Sequence, residues 1–424
     1  MLTIIFMDLS FLQQFNFKKI LLIILFLAMC FGLGFGIYYL FFHSPEPGPG
    51  EPGFVGQGGT LPNANNANNN LIGAGTGAGG AGDSQGAGGA GTGNAGLKGE
   101  ALALPITADK VVSPILSNSN NGIIFYNPLD NKFYNLNEAG EKIPISNQEF
   151  YQVQNVYWSA DKNQAIIEYP DGNKILYDFI KNKQLTLKKE INEPEFNSTG
   201  QVAYKHLTND TANNWLAVTN VQGSETNLIE PLGDNENEVQ IAWSPTGEVA
   251  ALFAKPVGND KTEVFFIGLK EENFKSLIVD GSNFKGLWSP SGARLLYHAI
   301  SGQNNYNPML WIADAEGETI GNHKFSLGLS TWIDKCAFQS EKILYCAVPR
   351  ELPEGAGLYP ELITDTEDLI YKIDLSTGLK DLIAEPADKD GNKFNIEKLY
   401  ITDKEDYIFF LNKRDGRVYK IELK

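Results

Sequence analysis

The chain has four histidines, His43, His206, His298 and His323. No two share a spacing that would bring two imidazole nitrogens onto one metal, so no metal site and no cofactor is expected. His298 follows a strand tyrosine and reads as a core or rim side chain. Asp388-Lys-Asp390-Gly-Asn392 has the clustered oxygens of a calcium loop. It lacks the Gly at position six and the Glu at twelve that an EF-hand needs, and reads as a polar loop between strands. Paired carboxylates for glycoside cleavage need no local motif, and no pair stands out among the acidic residues. No catalytic residue is assigned. Cys336 and Cys346 fall in one hairpin, Trp332 to Val348. A disulfide between them is one reading outside the cytoplasm, and two separate buried thiols are the other.

The elements that would position such groups come from an internal repeat. Trp158-Ser-Ala-Asp-Lys-Asn-Gln-Ala-Ile-Ile, Phe196-Asn-Ser-Thr-Gly-Gln-Val-Ala-Tyr, Trp243-Ser-Pro-Thr-Gly-Glu-Val-Ala-Ala-Leu and Trp288-Ser-Pro-Ser-Gly-Ala-Arg-Leu-Leu-Tyr align without gaps. Each has an aromatic, a tight Ser- or Asn-centred turn and an apolar strand, the pattern of a β-hairpin. Weaker copies stand at Leu116, Trp332 and Ile401. The spacings are 38–47 residues, with one last gap of 69. A second hairpin follows each anchor, so each unit holds four strands, here named a to d. Seven anchors predict an all-β, seven-bladed β-propeller of four-stranded antiparallel blades, with six or eight blades left open. Trp158, Trp243, Trp288 and Trp332 recur at the end of strand a and are expected to pack between blades. The seventh unit runs out after strand c. Ala101-Leu-Ala-Leu-Pro-Ile-Thr107 is apolar and is expected to supply the missing strand, closing the ring and removing an exposed sheet edge.

Ahead of the propeller, 101–424, three other segments are read. Residues 1–19 form a cytoplasmic N-terminus. Residues 20–42 carry no charged side chain and are long enough to span a bilayer as a signal anchor. Residues 43–100 are a Gly-, Pro-, Asn- and Ala-rich linker unable to bury a core, read as disordered. Lys18 and Lys19 before the span put the N-terminus inside and the propeller outside, in a single-pass cell-membrane protein. Net charge is −17, and the chain beyond residue 100 carries −15 of it. Such a surface repels phosphate backbones, so nucleic acid is excluded as a partner.

The Ser-Pro-x-Gly cores at 244–247 and 289–292, relaxed to 159–162 and 197–200, resemble the WD40-like PD40 propellers, including that of TolB. The resemblance implies the fold and says little of function. In the propeller arrangement the b–c and d–a loops share a face. Long b–c loops occur in blades 3 to 6, above all Pro349-to-Asp368 in blade 6, so a partner is expected on that face. Tyr306, Arg350, Leu358 and Tyr359 are its expected contacts, since Arg and Tyr dominate contact energetics. The leading expectation is a non-catalytic binding or scaffolding module for a protein, peptide or envelope glycan. The alternative is a propeller-channel enzyme acting on glycans as a lyase or glycosidase.

Overall fold

In blades 2 to 5 and 7 the turn after strand a combines one Ser, Asn or Thr with one residue able to adopt a left-handed backbone. The computed structural model describes Phe26, Met29 and residues 99–424 apart from Asn120, Glu138, Ala139, Asn259 and Lys424. In the first Ser-Pro-x-Gly core, the Gly247 N–H donates to the Ser244 carbonyl at 2.8 Å, and the Val249 N–H donates to Ser244 Oγ at 3.0 Å. Ser289 and Gly292 repeat this at 2.9 Å and 3.1 Å. Gly247 and Gly292 hold φ of 76° and 84°, where a side chain is disfavoured. Lys162 and Glu405 fill the same place with φ of 58° and 54°.

Seven sheets result, six with four antiparallel strands in sequence order and the last with three such strands and a fourth from the start of the domain. The inner strands a are Val112–Leu116, Asn155–Trp158, Ile191–Phe196, Val239–Ile241, Ser282–Trp288, Cys336–Phe338 and Ile396–Ile401. The b strands are buried on both faces, which explains their continuous apolar runs. In Gln164–Glu168, for example, Ala165 and Ile167 pack toward blade 1 and Ile166 toward blade 3. The core is thus divided among the seams between neighbouring blades. Each of the seven seams holds one apolar cluster, and the last joins Phe409 and Val418 to Ile123 and Phe125.

The indole rings lock these seams. Trp158 Nε1 donates to the Ser113 carbonyl at 3.1 Å, Trp243 to Glu195 at 3.0 Å and Trp288 to Ala242 at 3.1 Å. Each bond runs to the preceding blade. Trp332 departs from the expectation set by the other three. It precedes a short 3-10 turn, Ile333–Lys335, and strand a of blade 6 starts only at Cys336. Cys336 lies opposite Cys346 in that hairpin and a disulfide joins them.

The ring closes through residues 100–107. Leu104–Pro105 pairs antiparallel with strand c of blade 7, Leu104 opposite Lys420 and Pro105 opposite Tyr419. The Ile106 N–H donates to the Val418 carbonyl at 2.9 Å, and the Val418 N–H to Thr107 Oγ1 at 3.0 Å. The preceding Glu100–Leu102 lies elsewhere. It runs parallel to Lys380–Ala387, adding a fifth strand to blade 6. The segment expected on the last blade alone is therefore shared between two. Ala101 and Ala103 are both 1% exposed, small enough to fit under this double clasp.

Contacts divide the chain into Met1–Gly88 and Gly89–Lys424. The transmembrane and linker readings fall outside the described residues, apart from Phe26, Met29, Gly99 and Glu100. Among the described residues no helix is long and apolar enough to cross a membrane.

Candidate functional site

The inner strands surround a cavity of about 1390 Å³ to which all seven blades contribute. What aims side chains into it is a repeated irregularity. Strands a of blades 1, 3, 5 and 7 each slip register near their start, between Val112 and Ile115, Asn192 and Glu195, Ser282 and Lys285, and Ile396 and Lys398. Ser113, Glu193 and Asn283, within three of these bulges, take φ of 46°, 47° and 51°. Bulges bend a strand and re-aim the residues after them. The first paired residue after each bulge is Ile115, Glu195, Lys285 or Lys398. Three of these four positions carry an ionisable group, and all four line the cavity.

Glu195 is enclosed by protein and only partly open to the channel. Lost hydration pushes its carboxyl up to about 7. A bond from the Trp243 N–H to Oε1 at 3.3 Å and the charge of Lys398 act weakly in the other direction. Lys398 is held below its ordinary range by the same desolvation, against the pull of Asp334, Glu397 and Glu195. Its Nζ sits 5.7 Å from the Tyr400 ring centroid. Lys285 and Asp334 pair at 2.9 Å, and Lys205 and Glu193 at 2.8 Å. Blades 3, 5, 6 and 7 thus bring carboxylates and amines together around one space. Such a set can give and take a proton and steady a developing charge.

A buried pair flanks this group. Lys335 Nζ lies 2.8 Å from Asp368 Oδ2 and 3.4 Å from Asn395 Oδ1. Loss of hydration pulls Lys335 down and Asp368 up. His298 lines the same wall, 4% exposed, and burial lowers it to about 4, so it is neutral at pH 7.

The blade 6 insertion, 350–367, bridges the b–c loops of blades 5 and 7 as a strap. On one flank the Gly355 and Gly357 N–H groups donate to the carbonyls of Asn305 and Tyr306, at 2.8 Å and 2.9 Å, in the blade 5 loop. On the other, Lys413 Nζ donates to the Ile363 carbonyl at 2.9 Å and Arg414 to Asp365 at 2.6 Å. Pro360, Glu361 and Ile363 line the cavity from this side. Of the expected partner contacts, Arg350 is engaged within the molecule, with Glu385 at 2.8 Å and Glu367 at 3.7 Å. Tyr306, Leu358 and Tyr359 are 45%, 47% and 59% exposed and lie together on the strap and the loop beneath it. Asp388 accepts from the Asp390 and Asn392 N–H groups at 2.8 Å and 2.9 Å, a self-contained turn. Among the described residues no cluster of His, Cys, Asp and Glu is arranged to hold a metal.

Sequence reasoning missed Glu195, Lys398, Lys335 and Asp368. One signal was present: Pro194 within an inner strand, which a regular ladder tolerates poorly and a bulge accepts.

Fold and site together define a seven-bladed propeller of WD40-like fold with an ionisable channel. No family model and no curated protein matches the chain. Solved structures do. An oligogalacturonate lyase from Vibrio parahaemolyticus is 12% identical, with a TM-score of 0.46 over 76% of this chain and 93% of its own. An oligogalacturonate lyase in complex with manganese is 11% identical, with a TM-score of 0.49 over 76% and 93%. The β-propeller domain of Myceliophthora thermophila Cps50 (Swd1) is 11% identical, with a TM-score of 0.49 over 76% and 98%. These likenesses concern the fold. They correct the expectation that the chain is not an enzyme: two of these similar propellers are lyases, so the fold is no ground for a non-catalytic assignment.

Proposed function

We propose that the channel is an active site that processes a glycan by proton transfer, with Glu195 as the proton-carrying group. The observation that carries this reading is Glu195 itself: a carboxyl enclosed by protein, aimed inward by a bulge and held at about 7. A group poised there is present in both protonation states near neutrality, the condition for efficient acid or base catalysis. Lys398 faces the same space and steadies negative charge on the substrate oxygen. The channel wall mixes hydrogen-bonding and aromatic side chains such as Asn155, Tyr157 and Trp158, suited to a polyhydroxylated chain. Substrate enters at the b–c face beside the strap. Tyr306, Leu358 and Tyr359 are exposed there and provide contacts for a longer glycan, peptide or protein.

In this reading the propeller is of the PD40 type and stands outside the cytoplasm, on residues 20–42 as anchor and 43–100 as linker. The repeated Ser-Pro-x-Gly turn and the apolar span support it. The test is turnover of a panel of envelope polysaccharides and acidic oligosaccharides. Wild type should release new reducing ends, with a pH–rate limb near 7. Glu195→Gln should lower the rate by about 10²–10⁴. A wild-type protein inert toward the whole panel sinks the reading.

A further inference from the structure

The three indoles that lock the seams each give their N–H to the preceding blade, but Trp332 has lost that partner. Its Nε1 is buried without a hydrogen bond, and Trp332 lines the channel. On the adjacent blade, Asn395 is 1% exposed and also lines the channel. Its Oδ1 accepts from Lys335 at 3.4 Å, which fixes the amide so that Nδ2 points away, and that nitrogen has no partner either. Lys335 joins the two: its Nζ is 5.6 Å from the Trp332 ring. An unmade bond at a buried N–H costs about 1–3 kcal/mol, so two such groups on side chains that both neighbour Lys335 need a reason. Both are donors, and Lys335, near both side chains, is a cation held by Asp368. The group they suit is one that only accepts.

We infer that Trp332, Lys335 and Asn395 form a subsite for a carboxylate on the channel's ligand, at the seam of blades 6 and 7. This rests on the channel being the ligand site. The charges facing Lys335 are Asp368, Glu397 and Lys413. Asp368 is already engaged, by Lys335 at two oxygens and by the Ile396 N–H. Lys413 and Arg414 add two cations at the strap root. Neither orphan nitrogen reaches the open surface of the channel. Entry therefore parts the wall locally, and the strap beside it is the element that yields.

The experiment is calorimetric titration of the full chain at pH 7 with glucuronate, and with glucose as the neutral analogue. Glucuronate should bind at least about tenfold tighter than glucose. Asn395→Asp keeps the size and the Lys335 contact but replaces the donor with an oxygen. It should weaken glucuronate by about tenfold or more, and Trp332→Phe by about threefold to tenfold. Equal binding of the two sugars, or both variants binding like wild type, overturns the subsite and leaves the two N–H groups to water. If Asn395→Asp fails to fold by circular dichroism, Trp332→Phe decides alone. Binding that behaves as stated without turnover on any glycan sinks only the proton-transfer reading; turnover without carboxylate selectivity sinks only the subsite.

Discussion

At the scale of single residues, Glu195 ties function to stability. Its native pKa of about 7 lies above the ordinary 4.5, so between those values the folded protein binds more protons than the unfolded chain. Its contribution is therefore complete below about pH 4.5 and is lost as pH rises through 7, an effect of order 1–3 kcal/mol. Glu195→Gln keeps an acceptor for the Trp243 N–H and removes the buried charge. Denaturant midpoints at pH 5 and pH 8 should show the variant more stable than wild type at pH 8, with little difference at pH 5. A variant equal to wild type or weaker at pH 8 refutes the enclosed setting of this carboxyl. Nothing local in Asn-Glu-Pro-Glu-Phe announced that setting. A carboxylate on a strand looks the same whether it meets solvent or six other blades, and only ring closure tells them apart.

At the scale of elements, the turns were the most legible part. Ser244 and Ser289 with glycine three residues on do what their spacing implies, because the hydroxyl and the left-handed glycine are local requirements. Gly247 has open space where a Cβ would stand, so Gly247→Ala should cost only the backbone strain, about 1 kcal/mol. Gly357 is different. A Cβ there would lie 2.3 Å from Ile300 Cγ2 and 2.7 Å from the Tyr306 carbonyl oxygen. Gly357→Ala should push the strap off the blade 5 loop, at about 1–3 kcal/mol, and speed protease cleavage within 350–367. Unchanged cleavage would show that the strap is not held at that contact. Blade 6 is less legible: the repeat puts Trp332 at the end of its inner strand, and that strand starts only at Cys336. The aromatic spacing is regular, but the 3-10 turn Ile333–Lys335 intervenes before the strand, with Lys335 paired to Asp368.

At the scale of the molecule, the blade count was readable because each blade repeats one supersecondary unit that cannot bury its faces alone. The clasp was harder. An apolar run with no other home suggested one strand, while its division between two blades depends on Ala101 and Ala103 being small enough to lie under strands of blades 6 and 7. Removing 99–107 should strip the outer strand from blade 7, expose its edge, and lower the melting temperature by more than 10 °C, with aggregation on heating. A truncated propeller that melts like the full one would show that blade 7 holds without its borrowed strand.

That borrowed strand also sets an order of events. Residues 104–107 leave the ribosome long before Val418–Glu422, their partner, has been made. Through most of synthesis the strand Leu104–Pro105 is waiting, and Val418–Glu422 acts as the latch. Nascent chains stalled just short of Arg417 should accordingly stay open to protease, and those released a few residues past Glu422 should become resistant in a single step.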